Sequence, residues 1–330
     1  MHTMKITAGL GCADDYIRFC EAGADECFCG YVSLAWAERY GLLSPLNRRE
    51  VNFYNVQIGA KSELEILRGM VQAYGKRVHL TFNSLFYAPE QYPVLADTIA
   101  QCMELGFESF ILADPALLVY LRQQGMDCEV HISGEFGEIN HCAAEAFLPL
   151  APSRIIFPRK NSAADMAQCI AYLKEKGVSM EYEAFALNEL CQFSGSFCNS
   201  FHCDELGHLC RTPYWLGGVD REEECVWELD SGSGDTAEQR GEEEALPPLG
   251  LTGCGLCALP ELGQAGITHL KLVGRGNYAD CMERDIRAVR LALNILDDVR
   301  DAGAYRKEMK RRLFAGGCPK QCYYLGEYPL

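Results

Sequence analysis

No stretch of this 330-residue chain stays apolar for the roughly eighteen consecutive residues that a membrane helix needs, so a spanning segment is not expected. The opening residues, MHTMKITAGL, lack a basic segment followed by a long apolar stretch and a small-residue cleavage site. Secretion is therefore not expected, and the reading is a cytoplasmic protein. Basic residues are also scarce: 30 Lys and Arg stand against 46 Asp and Glu, for a net charge of −16. A protein that coats duplex DNA needs a basic face to release counterions, so that class is disfavoured. Several catalytic signatures are missing as well. There is no G-x-S-x-G elbow, no HExxH helix, no Walker A lysine loop and no GxGxxG after the first apolar run.

Cysteine is what the chain has in excess, at 18 residues. In a cytoplasm that keeps thiols reduced, such a number points to metal or redox chemistry in some of them rather than to a disulfide framework. Cys191, Cys198, Cys203 and Cys210 fall in one polar stretch with the spacing C-x6-C-x4-C-x6-C. Zinc sites commonly use paired C-x2-C knuckles, and bacterial ferredoxins use C-x2-C-x2-C, so this spacing matches neither. Four thiolates can hold zinc or a [4Fe–4S] cluster, and spacing alone leaves both open. Cys254 and Cys257 form a C-x2-C pair, and Cys318 and Cys322 lie near the end of the chain. Either pair can substitute in the tetrad or build a second site. Cys27 and Cys29, two apart on an apolar run, read as core.

Acidic charge is concentrated. Asp220 to Glu244 carries eleven acidic and two basic residues around an SGSGD run, the composition of a solvated, flexible insertion. Elsewhere the chain is only mildly acidic, which leaves room for a local basic pocket.

Short β-forming runs alternate with amphipathic segments of helical length. The strand candidates are Lys5–Leu10, Glu26–Gly30, Arg77–Asn83, Ser109–Ala113, Cys128–Ser133, Arg154–Pro158, Met180–Phe185 and Thr268–Val273. Alternation of this kind builds a parallel sheet, and eight strands without an evident edge predict a TIM-like (β/α)8 barrel of the α/β class. The expected organisation is one barrel domain, residues 1–219 and 246–330, with a cysteine-rich loop after the seventh strand candidate and an acidic insertion over 220–245. The stretch from Tyr31 to Lys61 is too long for a simple return and is expected to cover a barrel mouth. Loops that follow strands open on the C-terminal face, where barrel enzymes keep their chemistry, so the cysteine loop belongs there. Polar groups at strand ends converge on the same face: Asn83, Asp114, Ser133, Glu135, Arg159, Glu183 and Arg275, with His131 just inside the fifth strand candidate. Each has an ordinary alternative as a cap or a satisfied polar group. Asp114 before Pro115, for example, is a good helix start. Arg284, Arg287 and Arg290, then RKEMKRR at Arg306–Arg312, read as a solvated helix face, with an RNA or acidic-partner contact as the alternative.

Seven segments occur in one order: GADECFCG from Gly23, TFNS from Thr81, ADPA from Ala113, HISGEFGEIN from His131, FPRK from Phe157, EAFALNELC from Glu183 and KLVGR from Lys271. In these the chain resembles the peptidase U32 family, historically called collagenase-like, a group that includes iron–sulfur proteins of oxygen-independent hydroxylation of ubiquinone precursors and RNA bases. The resemblance implies a barrel and a [4Fe–4S] cluster held by Cys191, Cys198, Cys210 and Cys203, with Cys257 as a substitute for the last and zinc as the alternative metal. It implies catalytic roles among Asn83, His131, Glu135, Arg159 and Glu183, and substrate contacts from Asp114, Ser133, Lys271 and Arg275. The substrate would be a small molecule or an RNA, and a hetero-partner of the same family is a further expectation. There are departures: Leu187 stands for the family's histidine, Phe197 for an arginine, Val273 for an acid and Glu135 for a glutamine. Two other readings stay open, a peptidase and a non-catalytic iron–sulfur partner subunit.

Overall fold

The computed structural model describes residues 4–41, 44–48, 56–137, 139–191, 198 and 246–324. Cys203, Cys210 and the acidic stretch 220–245 lie outside these residues. The chain runs β1 (Lys5–Gly9), α1 (Tyr16–Ala22), β2 (Glu26–Tyr31), α2 (Leu34–Tyr40), β3 (Gln57–Ile58), α3 (Lys61–Tyr74), β4 (Arg77–Phe82), α4 (Tyr92–Glu104), β5 (Ser109–Leu112), α5 (Pro115–Gln123) and β6 (Glu129–Ile132). It continues through α6 (His141–Phe147), β7 (Arg154–Ile156), α7 (Ala163–Glu175), β8 (Glu181–Leu187), α8 (Leu259–Ala265), β9 (His269–Leu272), α9 (Ala279–Asp298) and α10 (Ala302–Leu313). Eight parallel strands close on themselves, because β1 pairs with β2 on one side (Thr7 opposite Glu26) and with β9 on the other (Lys5 opposite His269). This is the expected (β/α)8 barrel, and each of the eight strand candidates supplies one stave.

A ninth strand, β3, was not expected. It extends only the C-terminal end of β2, opposite Gly30 and Tyr31. It and α2 lie within the long Tyr31–Lys61 stretch, where a two-residue strand has no room to show periodicity. Helix boundaries follow local chemistry. Ser162 and Asp165 form a reciprocal capping box at the start of α7, and Asp301 accepts from the Ala304 amide at the start of α10. Gly75 ends α3 at φ 70, a left-handed turn that costs a glycine little. Helix α4 buries Leu95, Ile99 and Cys102, one face of a 3.6-residue repeat. Among the described residues, no helix is long and apolar enough to cross a membrane.

The strands alternate strictly, and this decides what the lumen is. Val78, Leu80 and Phe82 of β4 are buried against the helices, whereas His79 and Thr81 point into the barrel. The same alternation places Glu129 and His131 of β6, Glu181 and Glu183 of β8, and His269 and Lys271 of β9 in the lumen. Barrels of this class usually fill the interior with branched apolar side chains. This one fills the lower half with ionisable groups.

Candidate active site

Ions placed inside a barrel must be paired, since each lone buried charge costs several kcal/mol. At the N-terminal end of the strands, which forms the floor of the lumen, pairing is complete. Arg154 is fully buried and donates to Glu181 Oε2 from Nε at 2.9 Å and to Glu183 Oε2 from Nη1 at 2.9 Å. Its Nη2 lies 2.9 Å from Glu26 Oε2 and 3.1 Å from His269 Nε2. Burial opposes the charge on Glu26, but its hydrogen bonds to His269 and His79 and the Arg154 charge hold its pKa far below the carboxylate range. His79 joins Glu26 at 2.9 Å to Ser109 at 2.8 Å. Ser109 in turn meets His131 Nε2 at 3.3 Å, and that nitrogen lies 2.9 Å from Glu129 Oε1. Burial lowers His131 to about 3, so it is neutral near pH 7 and its link to Glu129 is a hydrogen bond rather than a charge pair.

One layer up, Lys271 bridges floor and mouth. Its Nζ donates to Glu183 Oε1 at 2.9 Å and sits 3.5 Å from the centroid of the Phe28 ring. Burial opposes ionisation of Glu183, yet Lys271 and Arg154 prevail and hold its pKa at about 2. Burial depresses Lys271, which the contact with Glu183 only partly offsets.

Above Lys271 lies the mouth, a cavity of about 60 Å³ whose lining includes Lys271, Arg275, Arg159, Arg48, Glu135 and Glu189. It is small beside ordinary ligand clefts, so it admits a terminal charged group or the edge of a ring. Among the described residues, four cations and two carboxylates line it. Arg159 donates to Glu135 Oε1 at 2.8 Å and stacks with its Cζ 4.0 Å from the Phe185 centroid. Arg48 Nε lies 3.6 Å from Glu135 Oε2, and its backbone amide donates to Asn83 Oδ1 at 3.0 Å. Arg275 donates to Thr81 Oγ1 at 3.0 Å. It crosses the mouth where Gly30 leaves space: a Cβ there would stand 2.5 Å from Arg275 Nη1. Phe28, Ile111, Phe185 and Val273 supply the apolar walls.

The strand-end residues, with Lys271 from the family resemblance, therefore separate into three groups. Asn83, Ser133, Glu135, Arg159, Lys271 and Arg275 all line the mouth. Glu183 and His131 are buried beneath it, Glu183 touching it through Lys271. Asp114 does not line the mouth. Its carboxylate caps α5 through the Ala116 amide at 2.8 Å and also accepts from the Tyr87 amide and the Tyr92 hydroxyl. Arg48, Glu189, Thr81 and Phe28 were missed. Thr81 and Phe28 follow from the alternation that placed His79 and Glu26, but Arg48 lies in an irregular stretch with no pattern to mark it.

The cysteine loop leaves from the top of β8 through a tight corner. Asn188 and Glu189 are both left-handed, at φ 70 and 52, a costly pair for residues with side chains. Tertiary bonds hold them: the Asn188 amide donates to Gly253 O at 2.9 Å, its Nδ2 to Asp285 at 2.8 Å, and the Leu190 amide to Thr252 O at 2.6 Å. The Tyr323 hydroxyl donates to Asn188 O. Cys191, half-buried, follows this corner, and Cys198 is buried with its carbonyl accepting from the Arg48 guanidinium that lines the mouth. Two soft sulfur donors of the expected tetrad are thus on the working face, a donor set suited to iron or zinc. Cys203 and Cys210, like His202 and His208, lie outside the described residues. Cys257 lies in a short 3-10 turn, Leu256–Ala258, away from the cavity lining.

Several arginines of the last helices are paired with carboxylates. Arg287 pairs with Glu283, Arg290 with Asp25, and Arg311 and Arg312 with Glu308.

Comparison with known proteins completes the description. The profile of the family described as Peptidase family U32 matches residues 13–327. The tRNA hydroxylation protein P of Escherichia coli (strain K12) is 22% identical over 176 residues, which are 53% of this chain and 34% of that protein. The chain thus matches about a third of the length of this curated relative. The solved structure of the U32 peptidase Mk0906 superposes with a TM-score of 0.44 at 16% identity, over 60% of this chain and 74% of that one. A structure titled native KDPGal superposes at 0.40 and 12% identity, over 91% of this chain and 98% of that one.

Proposed function

The chain belongs to peptidase family U32, and on that premise we propose that it is an iron–sulfur enzyme or enzyme subunit modifying an anionic substrate, with RNA as the substrate class, in an oxygen-independent hydroxylation or related redox step. The observation that carries the proposal is the clustering of cations at the mouth: among the described residues Arg48, Arg159 and Arg275, with Lys271 beneath them on Glu183, line the cavity beside Glu135 and Glu189, in a chain whose net charge is −16. Such a pocket focuses positive potential on one small cavity and selects for a phosphate or another anionic group. Similarity to a tRNA hydroxylation protein supports RNA over a free metabolite.

Cys191, Cys198, Cys203 and Cys210 would hold a [4Fe–4S] cluster, with zinc as the alternative ion. When bound, the cluster would supply one-electron chemistry beside the substrate. The remaining work falls to side chains at the mouth. Arg275 and Arg159 hold the anionic group, and Phe28 and Phe185 flank a flat ring and exclude water. Glu135 steadies both Arg159 and Arg48. Lys271, depressed by burial and bonded to Glu183, is placed to give or accept a proton at the cavity base. A peptidase is less well supported. Hydrolysis needs an activated nucleophile or a metal-bound water, and among the described residues no histidine reaches the mouth, while Ser133 Oγ is taken up by the Glu135 amide at 3.2 Å.

Anaerobic purification with iron and sulfide analysis and EPR tests the metal, and nucleoside mass spectrometry of RNA from cells with and without the gene tests the substrate. The expected results are a visible-absorbing iron–sulfur chromophore and one hydroxylated nucleoside that disappears with the gene. Colourless protein carrying stoichiometric zinc in the loop would reject the redox reading.

A further inference from the structure

A second cavity, of about 200 Å³ against the 60 Å³ of the mouth, opens at the same end of the barrel. Strand ends fix its place. Asn188 follows β8, and Gly276, Asn277 and Tyr278 follow β9, and all four line it. Arg275 of the mouth and Asn277 of the second cavity belong to one tight turn. The Asn277 amide donates to Gly274 O at 2.9 Å, and Gly274 stands at φ 130, where a Cβ would collide with Asn277. Such a turn keeps its first and fourth Cα within about 7 Å, so the two cavities are neighbours. Arg275 leaves the turn for Thr81 in the lumen. Tyr278, just beyond it, is 75% exposed at the second cavity.

The two cavities suit different chemistry. Among the described residues, the lining of the second carries one cation and one anion, and these are bonded to each other. Arg284 donates to Asp285 Oδ1 from Nε at 2.9 Å and from Nη2 at 2.7 Å. Its Nη1 donates to Pro247 O, and buried Asp285 also accepts from Asn188 Nδ2 at 2.8 Å. A lining balanced in this way favours a neutral group over a phosphate. Around the pair the walls are apolar: Tyr278, Leu251 at 47% exposure, and the rings of Pro247 and Pro248. Exposed apolar residues are ordinary singly, but several around one cavity mark a contact surface. Asn277 adds a donor and an acceptor at the edge, and its Nδ2 rests 3.8 Å from the Met282 sulfur, a weak acceptor.

We propose that this cavity takes the base next to the nucleotide held at the mouth, stacked on Tyr278 and met at its edge by Asn277. The inference rests on the RNA reading and deepens it. Proteins that read single-stranded RNA lay unstacked bases on aromatic rings while cations hold the backbone. Arg275 and Tyr278, on either side of one turn, divide those two tasks. The substrate is then a strand whose neighbouring base is unpaired, not a free nucleotide.

The probes are 5′-phosphorylated diadenylate and two versions of it, each lacking one base. They are titrated by calorimetry against the full chain as wild type, Tyr278→Ala, Tyr278→Phe and Arg275→Gln. In the wild type, removal of the base that sits on Tyr278 should weaken binding about tenfold, the worth of one stacked base. In Tyr278→Ala the intact probe should bind about tenfold more weakly, and the same removal should then have almost no further effect. Tyr278→Phe keeps the ring and should recover most of the affinity. Salt separates the two tasks: Arg275→Gln should flatten the salt dependence, and Tyr278→Ala should not. An exposed ring contributes little to folding, so the denaturation midpoint of Tyr278→Ala should match the wild type. Base removals that weaken binding equally in Tyr278→Ala and wild type would overturn the inference and leave the RNA reading standing. No binding, or binding indifferent to Arg275→Gln, would reject the RNA reading and the inference with it. A dimer that Tyr278→Ala dissolves in sedimentation would instead assign this surface to a second copy of the chain.

Discussion

The floor and the mouth of this lumen use the same side chains to opposite ends. At the floor, Arg154 is surrounded by Glu26, Glu181 and Glu183, and every carboxylate has a cation or an imidazole against it. At the mouth, Arg48 and Arg159 share Glu135, and Arg275 donates to the Thr81 hydroxyl. Among the described residues the difference is one of charge balance rather than residue type. A balanced network seals and orients, whereas an unbalanced one under the same low dielectric attracts an external anion. Lys271 belongs to both, bonded downward to Glu183 and exposed upward to the cavity.

Unbalancing the floor should have the largest effect. Arg154→Ala removes the one cation shared by Glu26, Glu181 and Glu183, and the expected loss is about 3–5 kcal/mol of folding free energy, read by chemical denaturation. An equally stable variant would mean that the floor charges are relieved by water, not by pairing.

Acid should unbalance the floor in stages. His131 falls from 6.5 in the unfolded chain to about 3 when folded. The unfolded chain therefore takes up a proton first, and stability is lost as pH drops below about 6.5. Glu183, lowered from 4.5 to about 2, contributes stability above 4.5 that is lost as pH falls through about 2. Comparing denaturation at pH 7 and pH 5, His131→Asn should escape about 2 kcal/mol of the wild-type loss.

At the mouth the readout changes from stability to binding. Arg275→Gln should weaken RNA binding about tenfold, the worth of one charge-assisted contact, and flatten its salt dependence, while shifting the denaturation midpoint far less than Arg154→Ala. Gly30→Ala is the mildest probe. Its new Cβ, which would also press on Gln57 Cβ at 3.1 Å, displaces the Arg275 guanidinium, so binding should weaken severalfold, as measured by the same titration, with a smaller loss of stability than Arg154→Ala. A variant that lost stability but bound normally would show Arg275 to be part of the floor.

Much of the barrel was legible because its strands obey a two-residue alternation and its helices a 3.6-residue one. Five of the strand-end polar residues reached the mouth for the same reason, a parallel barrel aiming every strand end at one face, and Lys271, which the family resemblance supplied, joined them. Asp114 did not, since the proline after it makes its carboxylate a cap. The polar floor was written in R-V-H-L-T and E-V-H-I-S, but alternation looks the same whether the polar face meets water or a closed lumen. Only the closure of β9 onto β1 turns the polar face inward. Arg48 and β3 were illegible because neither lies in a run long enough to show a periodicity. For Cys203 and Cys210 the expectation rests on the sequence, as they lie outside the described residues.

The reach of Arg154 has one more consequence. Its partners Glu26 and His269 lie near opposite ends of the chain, and Glu181 and Glu183 sit between them. A half-barrel cut anywhere between β2 and β9 would thus carry unmatched ions on an open edge. Barrels lined with apolar side chains can be divided into halves that each keep a sticky but neutral face. This one has no such seam, so its fragments should not reassemble from separate pieces, and its descent by fusion of two self-sufficient halves would require the ionic floor to be a later arrival.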